Sequence, residues 1–302
     1  MQKRTLGRTG LSVTQLGFGA MEIRGPRIWR GRPVSDEQAD AILNAVLDAG
    51  INFIDTSNDY GLSEERIGRY ISSRRKEYYL ATKCGCTVVD AGDHDETPHV
   101  WTRDNLLRNI EESLRRMGTD HVDIWQIHNA SVEDFENGNL LEAMREVQSA
   151  GQVRFISMSS TLPHLPRYLD MDCFDTFQIP YSALERKHED WITRVGEAGA
   201  GVIIRGGIAK GKASVEHHDQ GIVDLWEKAH LDDLLKGMSR SEFVLRFTLT
   251  HPHCHTTIVG TLNPEHLREN LAAASRGPLP ADLYEEAKRR LSEAGMGPAG
   301  GI

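Results

Sequence analysis

Short apolar runs alternate along the chain with longer segments in which apolar residues recur every three or four positions. The runs fall at Gln15–Ala20, Asn52–Asp55, Tyr78–Thr82, Val122–Ile127, Val153–Met158, Thr176–Ile179, Gly201–Ile204 and Thr256–Val259. Each is short and almost wholly apolar, the pattern of a strand covered on both faces. The segments between them carry helix starts. Ser35 with Gln38 forms a capping-box pattern ahead of Ala39–Ala49, which Gly50 stops; Thr102 precedes Arg103–Met117, which Gly118 ends. Ser239 with Glu242 repeats the pattern before Phe243–Thr250, and Asn263-Pro264 reads as N-cap plus first-turn proline of a helix running to about Ala274. Eight strands alternating with eight helical segments predict a parallel sheet, either a closed (β/α)8 barrel or an open doubly wound sheet. Thr5–Val13, with Gly7 and Thr9-Gly10 as turn signals, predicts a small N-terminal hairpin. Leu283–Ala294 predicts an extra C-terminal helix, and Gly295–Ile302 a frayed glycine-rich tail.

Length bounds the same choice without making it: 302 residues accommodate one large barrel or two ordinary domains. Lys plus Arg is 35 and Asp plus Glu 44, a formal charge of −9. That balance argues against nucleic acid or an anionic membrane as a partner. Four cysteines, Cys84, Cys86, Cys173 and Cys254, are too few and scattered for a disulfide framework. The first residues have no apolar leader, and no run is long enough for a membrane span. The expectation is a cytoplasmic protein, monomeric or homo-oligomeric.

Two phosphate-binding motifs fail. Gly17-Phe18-Gly19-Ala20-Met21-Glu22 has two glycines of the dinucleotide fingerprint, but Glu22 stands where the third belongs. Gly206 followed by Gly211-Lys212 opens like a P-loop, but Ala213 replaces the hydroxyl residue that would hold magnesium.

Three successive strands end in polar residues. The second leads through Asp55 to Tyr60-Gly61, the third ends at Lys83, and the fourth ends at His128. Strand ends converge on one face of a barrel, so these four side chains would share one mouth. A tyrosine of ordinary pKa near 10 carries its proton at neutral pH and can give it to an alkoxide. An ammonium beside it stabilises the phenolate, a carboxylate keeps that ammonium charged and oriented, and an imidazole can polarise a carbonyl. This is a proton-delivery site for a carbonyl that receives hydride. It has neither a nucleophile with its base nor a metal cage. His251-Pro252-His253-Cys254-His255 is read as a solvated turn, Cys84-x-Cys86 as incidental thiols, and Arg74-Arg75-Lys76 as an exposed helix end. No metal site is expected.

At these residues the chain resembles the aldo-keto reductase family over nearly its whole length. Thr5-Leu6-Gly7-Arg8-Thr9-Gly10-Leu11 with Gly17-Phe18-Gly19 resembles that family's opening, and Asp55-Thr56 through Tyr60-Gly61 with Ser63-Glu64 its Asp/Tyr signature. Lys83 and His128 occupy its remaining tetrad positions. Gly151-Gln152-Val153-Arg154-Phe155-Ile156 with Ser159, Gln178 with Tyr181-Ser182, and Gly260 through Glu269-Asn270 follow in the family's order. The resemblance selects a single (β/α)8 TIM-barrel domain over residues 1–302.

The resemblance implies Tyr60 as general acid, tuned by Lys83 and Asp55, with His128 orienting the carbonyl of a small aldehyde or ketone. It implies NADPH as the preferred cofactor and NADH as the alternative. Ser159, Ser160 and Gln178 would meet the carboxamide, Tyr181 would stack on the nicotinamide, and Arg205, Gly206, Gly207, Ile208, Lys210 and Gly211 would lie over the pyrophosphate. Gly19, Ala20 and Met21 at the first strand, together with Gly260, Thr261, Leu262, His266, Glu269 and Asn270, complete the implied cofactor set. Substrate contacts are assigned to Tyr60, His128, Asn129, Trp29 and Trp101, on loops that set specificity in such barrels. The chain departs from the family pattern at Ser160, where Asn is usual, and at Gly206-Gly207-Ile208, where Ser-Pro-Leu is common. It also places Gly260, Leu262 and His266 where relatives often carry the Lys and Arg that grip a 2′-phosphate. Two rival readings follow: an NAD-dependent sugar or alcohol dehydrogenase of the same fold, and a non-catalytic nucleotide-sensing subunit.

Overall fold

A computed structural model describes residues 1–209 and 220–299. β1 (Lys3–Thr5) and β2 (Ser12–Thr14) form the expected antiparallel hairpin, with Lys3 opposite Thr14. The eight expected strands are all present: β3 (Leu16–Gly19), β4 (Phe53–Asp55), β5 (Tyr79–Cys84), β8 (Val122–His128), β9 (Val153–Ser159), β10 (Thr176–Pro180), β11 (Gly201–Arg205) and β12 (Thr256–Val259). They close a barrel in the order β10-β11-β12-β3-β4-β5-β8-β9, which decides between the two sheet types the pattern left open. The remaining two strands, β6 (Val89–Asp90) and β7 (Asp95–Glu96), form a separate antiparallel ribbon that the sequence pattern does not predict. Their residues are mostly polar and exposed, so no apolar alternation marks them.

The chain divides into two compact units. The first comprises Met1–Leu16, Gln178–Val259 and Glu265–Ile302 so far as these are described; the second comprises Gly17–Phe177 with Gly260–Pro264. In the second unit the helix Asp36–Asp48 starts on the expected capping box: Ser35 Oγ accepts from the Gln38 amide at 3.2 Å, and Gln38 Oε1 accepts from the Ser35 amide at 3.0 Å. Helix Arg103–Met117 is capped by Thr102 and ends at Gly118, whose φ of 60° explains the glycine there. The basic run lies in the 3-10 helix Ser72–Glu77, which follows the helix Ser63–Ile71, and is not wholly exposed. Arg75 reaches inward to the buried Asp123 at 2.7 Å, while Arg74 pairs with Asp48 and Glu77.

In the first unit three expectations need correction. Ser239 caps the helix Arg240–Thr250 through the Glu242 amide, but Glu242 does not close a capping box. Its carboxylate instead bonds Arg246 and Arg276, at 3.3 and 2.6 Å. The His251–His255 turn is only partly solvated: His251 and Cys254 are buried, while Pro252 is exposed. His251 Nδ1 accepts from the His253 amide and His255 Nδ1 from the Val202 amide, so the imidazoles serve as neutral backbone acceptors. Burial holds both rings near pKa 4. The tail as far as Ala299 is tied down, since the Ala299 amide donates to Lys187 O and Arg186 donates to Met296 O. Arg186 lies on no strand or helix and is buried, so the sequence gives no sign that a basic residue anchors the tail.

Candidate active site

Register alone gathers the polar strand ends. Asp55 lies opposite Ala81, and Lys83, two residues further along β5, shares its face. Lys83 lies opposite Gln126; His128 is two further along β8 and lies opposite Ser159. Asp55, Lys83, Gln126, His128 and Ser159 therefore project from one face of four adjacent strands, all in the second unit. Tyr60 comes from the loop after β4, where its amide donates to Ser57 O and its carbonyl accepts from the Ser63 amide. Gly61 follows with φ +46°, and a Cβ there would meet Arg24 O at 2.5 Å, so no other residue lets the loop turn so close to Arg24.

Lys83 is the hub of this group. Its Nζ donates to Asp55 Oδ2 and to Thr56 O, both at 2.7 Å, and it lies 4.9 Å from the centre of the Tyr60 ring. Gln126 Nε2 donates to the other Asp55 oxygen at 2.8 Å, so both oxygens of a buried carboxylate are engaged. Burial acts to lower the Lys83 pKa, but Asp55, Tyr60 and Asp59 together outweigh it and the ammonium is held above its ordinary value. Burial likewise raises the Tyr60 phenol, against the charge and hydrogen bond of Lys83, so the hydroxyl keeps its proton at neutral pH. His128 meets Tyr60 edge to face, with ring centres 6.3 Å apart. The exposed Trp29 packs on Tyr60 in the same manner at 5.7 Å.

The structure adds residues that sequence reasoning did not single out. Gln126 orients Asp55. Asp59, next to Tyr60, places Oδ2 3.5 Å from His128 Nδ1 and takes a short hydrogen bond from Ser57. Burial would raise that carboxyl, but the His128 bond and charge hold it well below the usual carboxylate range. Cys86 Sγ lies 3.8 Å from the same His128 nitrogen, so this thiol borders the site. His99 arrives through the ribbon: Cys86 and His99 form an antiparallel bridge, and Arg27 clips the ribbon through Asp90 and Asp95, at 2.8 and 2.6 Å. His99 stacks on Trp101 at 5.1 Å, and Trp101 lies so close over Gly85 that a Cβ there would fall 1.7 Å from its ring. Adjacent polar residues in Asp59-Tyr60 and the Lys83-Cys84-Gly85-Cys86 run were the available signals. Asn129, with φ +65°, is exposed just past His128.

The residues implied for the cofactor divide between the units. In the second, Ser159 Oγ is buried and has no hydrogen-bond partner among the described residues, which fits an amide ligand. Ser160 donates to Thr161 O at 3.4 Å, and Gly19, Ala20, Met21, Gly260, Thr261 and Leu262 lie at or just after the ends of β3 and β12. In the first, Gln178 lies in β10, Arg205 ends β11 with Gly206, Gly207 and Ile208 after it, and His266, Glu269 and Asn270 lie on the helix Pro264–Ser275. Lys210 and Gly211 lie outside the described residues. Tyr181 is a correction. Its ring is fully buried against Phe247 and His251, and its hydroxyl bonds Tyr284 at 3.0 Å. That ring has no free face to stack on a nicotinamide.

Comparison with known proteins bears on this geometry. The model of the Aldo/keto reductase family matches residues 15–290. The aldo-keto reductase AKR11C1 from Bacillus halodurans, holo form, superposes with a TM-score of 0.84 at 27% identity, covering 96% of each chain. The L-galactose dehydrogenase of Arabidopsis thaliana is 27% identical over 91% of this chain and 88% of its own. The NADH-specific methylglyoxal reductase of Escherichia coli is 28% identical over 63% of this chain and 62% of its own.

Proposed function

Because the chain belongs to the aldo/keto reductase family, whose members use nicotinamide cofactors on small carbonyl compounds, we propose that it interconverts an aldehyde or ketone and its alcohol with Tyr60 as acid and base. The observation that carries this reading is the Lys83 ammonium, bonded to Asp55 and set 4.9 Å from the Tyr60 ring.

A nicotinamide cofactor, when bound, would supply hydride to the carbonyl carbon. The residues of this chain manage the oxygen. His128, held by Asp59 on one ring nitrogen, orients and polarises it. Tyr60 gives its proton as negative charge develops there, and Lys83 stabilises the phenolate left behind. Asp55, fixed by Gln126, keeps Lys83 charged throughout the cycle. In the oxidative direction Tyr60 is the base. Ser159 and Ser160 would hold the carboxamide, and His128, Asn129, Trp29 and Trp101 would border the substrate.

NADPH is the proposed cofactor, with a small margin over NADH. The segment Gly260–Asn270 offers Thr261, Asn263 and His266 to a 2′-phosphate, and its one arginine, Arg268, is paired with Glu265. Without a committed guanidinium the preference should be about tenfold or less. The test is a panel of aldehydes, ketones and sugar alcohols with each cofactor, followed by nicotinamide absorbance. Turnover of at least one carbonyl is expected. Cofactor binding with no turnover across the panel would support the nucleotide-sensing alternative instead.

A further inference from the structure

Three soft or borderline donors from three separate stretches of chain meet beside His128. The ligand atoms of Cys86, His99 and His128 all lie within 4.8 Å of one another. Two of them, Cys86 Sγ and His128 Nδ1, are 3.8 Å apart. A tetrahedral zinc with bonds of about 2.3 Å to sulfur and about 2.0 Å to nitrogen holds such a pair about 3.5 Å apart, so the Cys86–His128 pair is already near ligand spacing and His99 closes the remaining distance. The backbone already pairs Cys86 with His99, Asn58 Nδ2 donates to Cys86 O at 2.8 Å, and Trp101 supports the His99 ring. The placement is built by the fold, not by a mobile loop tip.

We propose that Cys86, His99 and His128 form a site for a borderline-soft divalent metal, with Zn2+ as the reference ion, and that its occupancy shuts the mouth of the candidate active site. Thiolate with two imidazoles is a donor set that suits zinc. Three protein ligands leave a fourth position for water. On binding, the Cys86 S–H bond breaks, the proton leaves to solvent, and sulfur and two ring nitrogens replace three metal-bound waters. The metal stays divalent. The thiolate and the neighbouring Asp59 carboxylate together balance its two charges. Coordination through Nδ1 takes the His128 ring from Asp59, whose Oδ2 lies 3.5 Å from that nitrogen, so the ring is no longer held as carbonyl orientation requires. This last step rests on the reductase reading above; the binding itself does not.

The test titrates Co2+ into metal-free, fully reduced protein and then displaces it with Zn2+. One-to-one binding with a thiolate-to-cobalt charge-transfer band is expected. Cys86→Ser should lose the band. His99→Ala, at an exposed ring, should weaken binding by at least about tenfold, since even outer-shell partners are worth that much. Zn2+ should raise KM for the carbonyl and leave KM for the cofactor unchanged. His99→Ala should keep metal-free turnover and lose that inhibition. Absence of the band, or unchanged metal affinity in His99→Ala, overturns the site even where turnover is normal. Metal binding in a protein that turns nothing over would leave the site standing and remove the reductase reading.

Discussion

Arg186 and Lys83 are both buried cations with a carboxylate partner, yet their surroundings differ. Around Arg186 in the first unit, every nitrogen is used: Nε and Nη2 on Glu189, Nη1 on Lys288 O, Ser292 and Met296 O. Lys288 and Tyr181 complete the Glu189 shell. Around Lys83 in the second unit, polar atoms are left over. Asn58 Oδ1, Gln126 Oε1 and Ser159 Oγ are buried with no hydrogen-bond partner among the described residues. A closed network ties chain segments together, here the tail and the last helix. An open one, with a phenol and an imidazole at its edge, retains capacity for a ligand. Burial and charge alone do not separate structure from chemistry; the completeness of the hydrogen bonding does.

That contrast can be broken by mutation. Lys83→Met should have the largest effect, stranding the Asp55 carboxylate at a cost of about 3–5 kcal/mol and lowering kcat by about 10²–10⁴. Adding Asp55→Asn should recover much of the stability, measured by urea unfolding, but none of the turnover. Recovery of both would place Lys83 in the structural class. Arg186→Met should cost less, about 1–3 kcal/mol, because Glu189 keeps Lys288 while the tail carbonyls lose their donor, and should leave kcat per folded molecule unchanged.

Acid should act next. His251 and His255 have folded pKa values of about 4 against 6.5 for the free side chain. Between those values the unfolded chain binds protons that the folded chain refuses, so stability falls as pH drops from about 6.5 to 4. The loss is at most about 3 kcal/mol for each ring. A urea midpoint constant from pH 7 to 4.5 would contradict the buried-acceptor account. Last, Ser35→Ala should cost about 1 kcal/mol with no change in kcat, as a helix cap remote from the site.

The barrel strands were legible because burial on both faces leaves an unbroken apolar signature, and each lies within two residues of its expected bounds. The convergence of Asp55, Lys83 and His128 was legible because each stands at or next to the end of its strand, and register carries them to one face. What escaped depends on contacts between distant segments. Nothing in Pro98-His99-Val100 announces that a polar ribbon folds it onto Cys86. Tyr181 drew a cofactor role from its place after β10, but Tyr284, 103 residues later, claims its hydroxyl. The pairing of Asp59 with His128 was hidden in the same way, since register between β4 and β8 runs through β5.

The central claim is that Tyr60 delivers the proton. The most direct measurement compares Tyr60→Phe with the unaltered protein on the best carbonyl of the panel, with cofactor binding followed separately by fluorescence. The account predicts that kcat falls by about 10²–10⁴ while cofactor Kd is unchanged, because only the acid is removed. A Tyr60→Phe protein that turns over near the unaltered rate would contradict it.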